Sequence, residues 1–403
     1  MPSIAAYGVV FVVVALSTFV GIPLVRNVSV RIGAVVKPDE RRVHTRPTPT
    51  LGGVAMLVGF LFGMLVAWRM HAFNSIFQGN TEPLGLVLAA IIILVVGTID
   101  DLREVSAPAK ISGIVVSASV LVFSGISMLL LRVPFGGTFI LDPNWSYLIS
   151  VLWVLGMTNA INLIDGLDGL AGGIVAIAAG TFFLYATQLG NAGVLQEGNI
   201  GPLIAIITLG MCVGFLPWNV HPARIFMGDG GALLLGLLMA ASTMVVGGRT
   251  DQPFSGTTWF LFAPVFIPLV ILGVPIIDMA WAILRRARTR TGLATADKDH
   301  LHHRLMRLGH GHRRSVFILW AWTALLSIFV LSSAYTGRVD GIVPIGIAAL
   351  GLGLFTLFHP RAREARRNEA DDRDEFDGSA ALAAILNEPI KPPDEPLENG
   401  SDA

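Results

Sequence analysis

The chain carries eleven apolar segments in succession, and no other feature restricts its fold as strongly. Most of them approach the ~20 residues that a helix needs to cross the ~30 Å hydrocarbon core of a bilayer. Only 14% of the residues are charged, whereas soluble domains average about 25%. The sequence therefore predicts an all-α integral membrane protein with about 11 transmembrane helices, near residues 5–25, 51–68, 84–99, 111–131, 146–163, 169–188, 201–217, 231–247, 258–284, 315–334 and 340–358.

The positions of lysine and arginine predict how these helices are oriented. If successive loops are assigned alternately to the two sides, the odd-numbered loops and the C-terminal tail hold 24 of the 28 basic residues. The other side keeps only Arg69, Arg132, Arg249 and Arg338. Because basic loops stay in the cytoplasm, we expect the odd-numbered loops and the C-terminus inside and the N-terminus outside.

Outside the apolar segments the chain shows no second folded domain. Residues 1–358 are predicted to form one polytopic membrane domain. Residues 359–403, rich in charged residues and proline, are predicted to be a disordered cytoplasmic tail. The formal net charge is +0, which argues against nucleic acid as a partner. Nothing in the pattern decides between a monomer and a homodimer.

The most unusual polar stretch reads NAINLIDGLDGL and lies between two long apolar runs. It supplies two carboxamides and two carboxylates, from Asn159, Asn162, Asp165 and Asp168. Ionisable groups at the edge of a membrane segment are costly and are usually functional. Such a set with flanking glycines suits a divalent cation or a phosphate. The alternative is a tight turn between helices with solvated aspartates.

Two further acidic motifs stand at the ends of apolar runs. Asp100 and Asp101 follow one run directly, and the pair would suit Mg²⁺ or a general base with a shifted pKa; the alternative is a helix-end cap. Asp229 lies among glycines at the start of another helix, where an anion and its metal can bind; the alternative is an N-cap. Asn219 and Arg224 stand shortly before it.

Basic and imidazole side chains are concentrated in two other odd-numbered loops. The first loop contains Lys37 and His44 within a basic cluster, which would attract anionic head groups. The largest loop contains an H-x-H-H-R motif formed by His300, His302, His303 and Arg304. Its arginines favour a phosphate or pyrophosphate clamp. A zinc site and a solvated basic loop are the alternatives.

Every one of these clusters falls on the side that lysine and arginine assign to the cytoplasm. Carboxylates, arginines and histidines gathered on one membrane face suit Mg²⁺-assisted chemistry on a phosphate ester. A different class of function, an ion-coupled secondary transporter, would instead bury its ionisable groups near the bilayer midplane and show internal repeats. The carboxylates here stand at helix ends, and no repeat is visible.

The same motifs resemble those of the polyprenyl-phosphate N-acetylhexosamine-1-phosphate transferases. The shared motifs are the K-P-D-x-R-x-V-H run that begins at Lys37, the aspartate pair, N-x-x-N-x-x-D-G-x-D-G-L, F-M-G-D and H-x-H-H-R. The resemblance covers residues 5–358. The interrupted histidine motif is similar to the N-acetylglucosamine branch, and most of all to its actinobacterial decaprenyl-phosphate members. The muramoyl-pentapeptide branch of the family is the alternative.

This resemblance implies a reaction, a cofactor and a set of roles. UDP-GlcNAc and polyprenyl phosphate would give polyprenyl-diphospho-GlcNAc and UMP at the cytoplasmic face of the plasma membrane, with Mg²⁺, which Mn²⁺ could replace. Asp229 and Asp101 would hold the metal, and Asp100, Asp101, Asp165 and Asp168 would be the catalytic carboxylates. The expected substrate-binding residues are Lys37, His44, Asn159, Asn162, Asn219, Arg224, His300, His302, His303 and Arg304.

Overall fold

The computed structural model describes most of the chain up to residue 358. The described residues are 1–36, 47–103, 105–133, 137–249, 273, 276, 280, 305–306, 310–336 and 342–358. Within them, eight helices are long and apolar enough to cross a membrane, and the only sheets are two short pairs of strands. The protein is therefore helical and of the membrane-spanning type.

The described residues contain eleven α-helices, numbered in chain order. They are α1 Ile4–Arg31, α2 Gly52–Arg69, α3 Asn74–Phe77, α4 Glu82–Arg103, α5 Ala107–Phe123, α6 Pro143–Ile164, α7 Leu170–Asn191, α8 Gly201–Asn219, α9 Gly228–Gly247, α10 Gly311–Thr336 and α11 Ile342–Phe358. A short 3-10 turn, His71–Phe73, precedes α3. The strands form two antiparallel hairpins, β1 Val35–Val36 with β2 Thr48–Pro49 and β3 Leu130–Val133 with β4 Gly137–Ile140.

Helix α9 occupies the centre of the bundle. Its residues from Gly230 to Gly247 are all buried, and it packs against α2, α4, α6 and α8. A helix that is apolar on every side can be stable only when other helices surround it. Around this centre, α1 packs on α2 and α8, α5 on α4, and α7 on α8 and α10. The first turn of α9 is consequently held by several neighbours at once.

Glycines let the neighbouring helices approach the start of α9 closely. A methyl group built on Gly97 of α4 would lie 2.7 Å from the carbonyl carbon of Asp229. A methyl on Gly53 of α2 would lie 2.9 Å from the carbonyl carbon of Gly230. Both distances are shorter than any real contact of that kind, so only glycine fits at these crossings.

The opposite end of the bundle carries a buried ion pair. Glu82, at the start of α4, accepts a 2.6 Å contact from Nη1 of Arg249, which follows α9. The same guanidinium donates through Nη2 to the carbonyl of Gly125, just after α5. Nη1 and Nη2 of Arg249 thus each have a partner, as the charge of a largely buried guanidinium requires. Polar contacts thus join α4 to α9 at both ends of the pair. One is this ion pair, and the others belong to the candidate active site.

The apolar segments of the sequence are confirmed as helices wherever the structure describes them. Ten of the eleven expected segments coincide with a described helix, with ends that differ by a few residues. The ninth, 258–284, lies outside the described residues except for three positions. The fourth, expected to run to residue 131, is too long: α5 ends at Phe123, and Leu130 begins β3. Apolar β-branched and leucine residues at 129–133 do not distinguish a strand from a helix by pattern alone.

Candidate active site

Four helix ends bring polar side chains from distant parts of the chain together. Asp100 and Asp101 lie in the last turn of α4, and Lys110 lies in the first turn of α5. Asn162 lies in the last turn of α6, and Asp229 in the first turn of α9. The aspartate pair therefore belongs to a helix rather than opening a loop. We call Asp100, Asp101, Lys110, Asn162 and Asp229 the carboxylate cluster.

Lys110 is the centre of this cluster. Its Nζ lies 2.8 Å from Oδ2 of Asp100 and also contacts Oδ2 of Asp229. The same Nζ donates to Oδ1 of Asn162 at 3.3 Å. The Lys110 side chain is only 16% exposed, so a single cation is held among two carboxylates and an amide with little water. Its position shows where positive charge is most strongly stabilised in this part of the protein.

Asp229 is held from several sides. Asn162 donates its Nδ2 to Oδ1 of Asp229 at 2.9 Å. The backbone N–H of Asp229 donates to Oδ1 of Asp101 at 2.9 Å, and that of Gly230 donates to Oδ2 of Asp101 at 3.3 Å. Asp101 thus caps the amino end of α9, where a negative charge is favoured by unpaired N–H groups. The cap fixes the helix that carries Asp229 against the end of α4.

The backbone before α9 is also joined to the start of α2. The N–H groups of Gly52 and Gly53 donate at 2.9 Å to the carbonyls of Phe226 and Met227. Leu51, immediately before them, has a φ of 74°, a conformation that costs free energy for a residue with a branched side chain. Strain of this kind persists only where the surroundings enforce it. The F-M-G-D motif is therefore anchored by α2 as well as by α4.

Asp165 lies directly after α6, between the carboxylate cluster and Asp168. Burial, together with the neighbouring carboxylates of Asp229, Asp101 and Asp168, raises the pKa of Asp165 to about 8. Several carboxylates near one another without enough positive charge favour either protonation or a bound cation. The carboxylates of the site outnumber the single ammonium of Lys110, so the charge of a divalent cation would also be balanced here.

The donor set fits Mg²⁺ on the chemistry of its atoms. The ion prefers carboxylate and carboxamide oxygens, and the cluster offers those of Asp100, Asp101, Asp229 and Asn162 with Asp165 nearby. Lys110 already occupies the space between two of these carboxylates as a cation of half the charge. These residues therefore suit the metal that the sequence motifs lead us to expect.

Asp168 makes its contacts with a different group of residues. Its Oδ2 lies 2.7 Å from Nδ1 of His221 and accepts the N–H of Ala223 at 3.1 Å, both in the connection between α8 and α9. Nε2 of His312, in the first turn of α10, lies 4.0 Å from the same oxygen. Asp168 thus contacts residues outside the carboxylate cluster, although it lies only three positions after Asp165.

The other expected substrate-binding residues within the described part have structural contacts. Asn219 is buried; its Oδ1 accepts the N–H of Gly169, and its Nδ2 donates to the carbonyl of Ile225. It therefore joins the turn before α7 to the approach to α9. Asn159 donates to the carbonyl of Leu155 within α6. Arg224 is exposed, with its guanidinium 5.7 Å from the ring centre of Trp218.

Several expected site residues lie outside the described residues. They are Lys37, His44, His300, His302, His303 and Arg304. Their assignment to phosphate binding stays a prediction.

Lys110 is a functional candidate that motif reasoning did not select, and the meeting of His221 with His312 is a second feature that it did not predict. Lys110 stands at the start of an apolar segment, where a basic residue is normally a topology signal. Its position ten residues after Asp100 was the available clue, because α4 and α5 are joined by a short connection. No spacing rule relates His221 to His312, which are 91 positions apart in the sequence. They come together where α10 packs on α7, and Nη2 of the adjacent Arg313 donates to the carbonyl of His221 at 3.0 Å.

Comparison with known proteins assigns the chain to a family. The profile described as glycosyl transferase family 4 matches residues 83–247, the part that holds the whole carboxylate cluster. The decaprenyl-phosphate N-acetylglucosaminephosphotransferase of Mycobacterium tuberculosis (strain ATCC 25618 / H37Rv) is 35% identical over 353 residues, covering 83% of this chain and 86% of that protein. This chain belongs to glycosyl transferase family 4.

Other family 4 proteins extend the comparison across two branches. The probable undecaprenyl-phosphate N-acetylglucosaminyl 1-phosphate transferase of Bacillus subtilis (strain 168) is 36% identical over 329 residues, covering 81% of this chain and 85% of its own. The phospho-N-acetylmuramoyl-pentapeptide-transferase of Desulforudis audaxviator is 32% identical over 355 residues, covering 82% and 98%. The family resemblance expected from the motifs is confirmed.

Proposed function

We propose that this family 4 protein transfers N-acetylglucosamine 1-phosphate from UDP-GlcNAc to a polyprenyl phosphate. The products are polyprenyl-diphospho-GlcNAc and UMP. Two relatives named for N-acetylglucosamine phosphate transfer to decaprenyl or undecaprenyl phosphate support this choice. The observation that carries the proposal is the convergence of Asp100, Asp229 and Asn162 on the ammonium of Lys110.

The reaction exchanges one phosphoanhydride bond for another. An oxygen of the lipid phosphate attacks the phosphorus that bears the sugar, and the bond from that phosphorus to the oxygen of UMP breaks. UMP leaves with the electron pair of that bond. Little covalent chemistry is asked of the protein, so catalysis depends on position and on charge stabilisation.

The residues of the carboxylate cluster suit these tasks. Lys110 places a positive charge where the transferred phosphoryl group gains negative charge. Asp100 is the candidate base for the lipid phosphate, because its Oδ2 lies at the cluster and its Oδ1 is fixed by the N–H of Val105 at 2.7 Å. Asn162 fixes the carboxylate of Asp229.

Asp229 and Asp101, with Asp165 beside them, are the residues that would hold Mg²⁺. The ion would neutralise the diphosphate and polarise its phosphoryl oxygens. Asp101 has a second role as the cap of α9, so its two oxygens both accept backbone N–H groups. A carboxylate oxygen has lone pairs for a cation in addition to such bonds.

The cellular setting is part of the proposal. The protein spans the plasma membrane about eleven times, with its N-terminus outside, its C-terminus inside and the carboxylate cluster at the cytoplasmic face. The alternation of α4, α5, α6 and α9 supports the common side, because the cluster residues lie at the ends of these helices that meet. A UDP-sugar is a cytoplasmic donor in this arrangement.

The test is transfer of label from nucleotide sugar to lipid. Purified protein in detergent receives Mg²⁺, polyprenyl phosphate and labelled UDP-GlcNAc, and label is counted in the organic phase. We expect Mg²⁺-dependent lipid labelling that EDTA abolishes and excess UMP reverses. Absence of organic-soluble label would contradict the proposal, and labelling that survives chelation would contradict the metal assignment.

A second donor is compared because one relative is named as an N-acetylmuramoyl-pentapeptide transferase. UDP-N-acetylmuramoyl-pentapeptide replaces UDP-GlcNAc in the same assay. We expect UDP-GlcNAc to be used with the higher kcat/KM. The reverse preference would assign the protein to the pentapeptide branch of the family.

A further inference from the structure

Three ligand-type side chains meet at a place distinct from the carboxylate cluster. Asp168 precedes α7, His221 lies between α8 and α9, and His312 lies in the first turn of α10. One ligand atom from each residue lies within 4.8 Å of the other two. The three residues come from separate parts of the sequence, so the fold, rather than local spacing, brings them together.

The ring of His312 is buried beside Asp168 and His221 without a well-formed hydrogen bond to the described part of the chain. Its side chain is 11% exposed, and neither ring nitrogen makes a hydrogen bond with any residue that the structure describes. Its ring stacks on that of His221, with ring centres 4.2 Å apart and planes inclined by 27°. A buried polar group without a partner is costly, so a group that bonds to both rings would be favoured here.

We propose that Asp168, His221 and His312 bind a late first-row divalent cation, with Zn²⁺ the preferred occupant. Two imidazoles and one carboxylate are ligands that suit Zn²⁺, Co²⁺ or Ni²⁺, whereas Mg²⁺ prefers a set of oxygens. The carboxylate is already oriented, because Oδ2 of Asp168 accepts the N–H of Ala223. Such fixing of a ligand by a backbone group is usual around metals.

The surroundings allow a fourth ligand from solvent. A cavity of about 340 Å³ is lined by His221, His310, Gly311, His312, Arg313 and Arg314. Three protein ligands and one open position are the arrangement of zinc sites that exchange a water or an anion. The cation would join the turn before α7, the connection before α9 and the start of α10 at one point. Because Asp165 is three residues from Asp168, the ion would also restrain the turn that carries Asp165.

The first test counts bound zinc. Purified full-length protein is stripped with chelator and dialysed against Zn²⁺ in excess Mg²⁺, which occupies sites built from oxygens. Zinc per chain is then measured by elemental analysis for wild type, His221→Gln and His312→Gln. Histidines elsewhere contribute equally to all three proteins. We expect each variant to bind one zinc ion fewer than wild type.

A matched control uses a histidine remote from this group. His71 is exposed in the 3-10 turn before α3, and His71→Gln should bind as much zinc as wild type. If His312→Gln also retains the wild-type zinc content, the proposal is wrong. If His71→Gln loses as much zinc per chain as His312→Gln, the zinc is bound by surface histidines and the proposal is also wrong.

A second variant keeps the test decisive if the glutamine proteins fold poorly. In His312→Cys a thiolate replaces one imidazole, and Co²⁺ then serves as a spectroscopic substitute for Zn²⁺. We expect a thiolate-to-cobalt charge-transfer band in the near ultraviolet for His312→Cys. Wild type should lack it, because the only native cysteine, Cys212, is buried within α8. Absence of the band from folded His312→Cys would overturn the assignment of position 312 as a ligand.

Discussion

At the scale of single residues, Lys110 is the feature that distinguishes this site from a plain group of carboxylates. Its ammonium joins α5 to α4, α6 and α9 through Asp100, Asn162 and Asp229. Several carboxylates buried together are stable only when positive charge balances their negative charge. The lysine therefore stabilises the carboxylate cluster, and in the proposed reaction it would also supply positive charge to a bound diphosphate.

Replacing Lys110 should damage catalysis more than folding. We expect Lys110→Gln to lower kcat/KM on the order of 10²–10³-fold, as loss of one preorganised electrostatic contact does elsewhere. Arg103→Gln is the control, because Arg103 is the last residue of the neighbouring helix α4, carries the same charge and is exposed. Its rate should stay near that of wild type. Lipid labelling assays compare the proteins, and a Lys110→Gln rate near wild type would exclude the lysine from catalysis.

Asp165 makes stability depend on pH. Its pKa is about 8 in the folded protein, against an ordinary value of ~3.9, so the folded state binds the proton more tightly than the unfolded state. The contribution of this group to stability is therefore greatest below pH ~4 and is lost as pH rises toward about 8. Asp165→Asn resembles the protonated acid and does not lose this contribution.

This difference can be measured by thermal unfolding in detergent with EDTA. The midpoint temperature of Asp165→Asn minus that of wild type should be larger at pH 8 than at pH 5. Adding Mg²⁺ at pH 8 should reduce the difference, because an ion that binds the ionised site stabilises only wild type fully. An equal difference at both pH values would mean that Asp165 ionises normally.

At the scale of helices, the start of α9 is positioned by close crossings with α2 and α4. These crossings depend on glycines whose missing side chains leave room for backbone. Since Asp229 is in the same turn, a small shift of α9 moves it relative to Asp101 and Lys110. Errors of about 1 Å in such a site can cost ~10²-fold in rate.

We expect Gly97→Ala to lower kcat at least tenfold, on the order of what a misplacement of this kind costs, because the new methyl group would press on the Asp229–Gly230 peptide. Gly156→Ala is a matched control in α6, where an added methyl meets nothing within 4 Å. That change should leave activity unaltered and stabilise the helix by roughly 0.5–1 kcal/mol. Equal activity of the two variants would show that the crossing tolerates displacement.

At the scale of the whole molecule, the membrane orientation can be tested with engineered cysteines. Cys212 is the only cysteine and is buried, so Cys212→Ala provides a background without thiols. Arg103→Cys and Glu197→Cys then place exposed thiols beyond α4 and α7, on opposite sides in the proposed topology. We expect an impermeant maleimide to label position 197 but not position 103 in intact cells. The reverse pattern would invert the topology.

The helices were predictable from sequence, whereas the site was predictable only in part. Long apolar runs identify membrane helices because the bilayer imposes a length on them, and α9 or α2 begins within a few residues of its expected position. Asp100, Asp101 and Asp229 were selected because charge at a helix end is costly. Their joining by Lys110 depends on how helices pack, which no local pattern encodes.

The two groups of polar contacts also set a length for the membrane region. Glu82 and Asp100 stand near opposite ends of α4, a helix of 22 residues that spans ~33 Å at 1.5 Å per residue. Arg249 and Asp229 flank α9 in the same way. The length of this helix pair therefore fixes the distance between the two groups of polar contacts. A bilayer much thicker or thinner than that distance would strain one of the two groups. Turnover in vesicles should accordingly peak at one acyl-chain length and fall on either side of it.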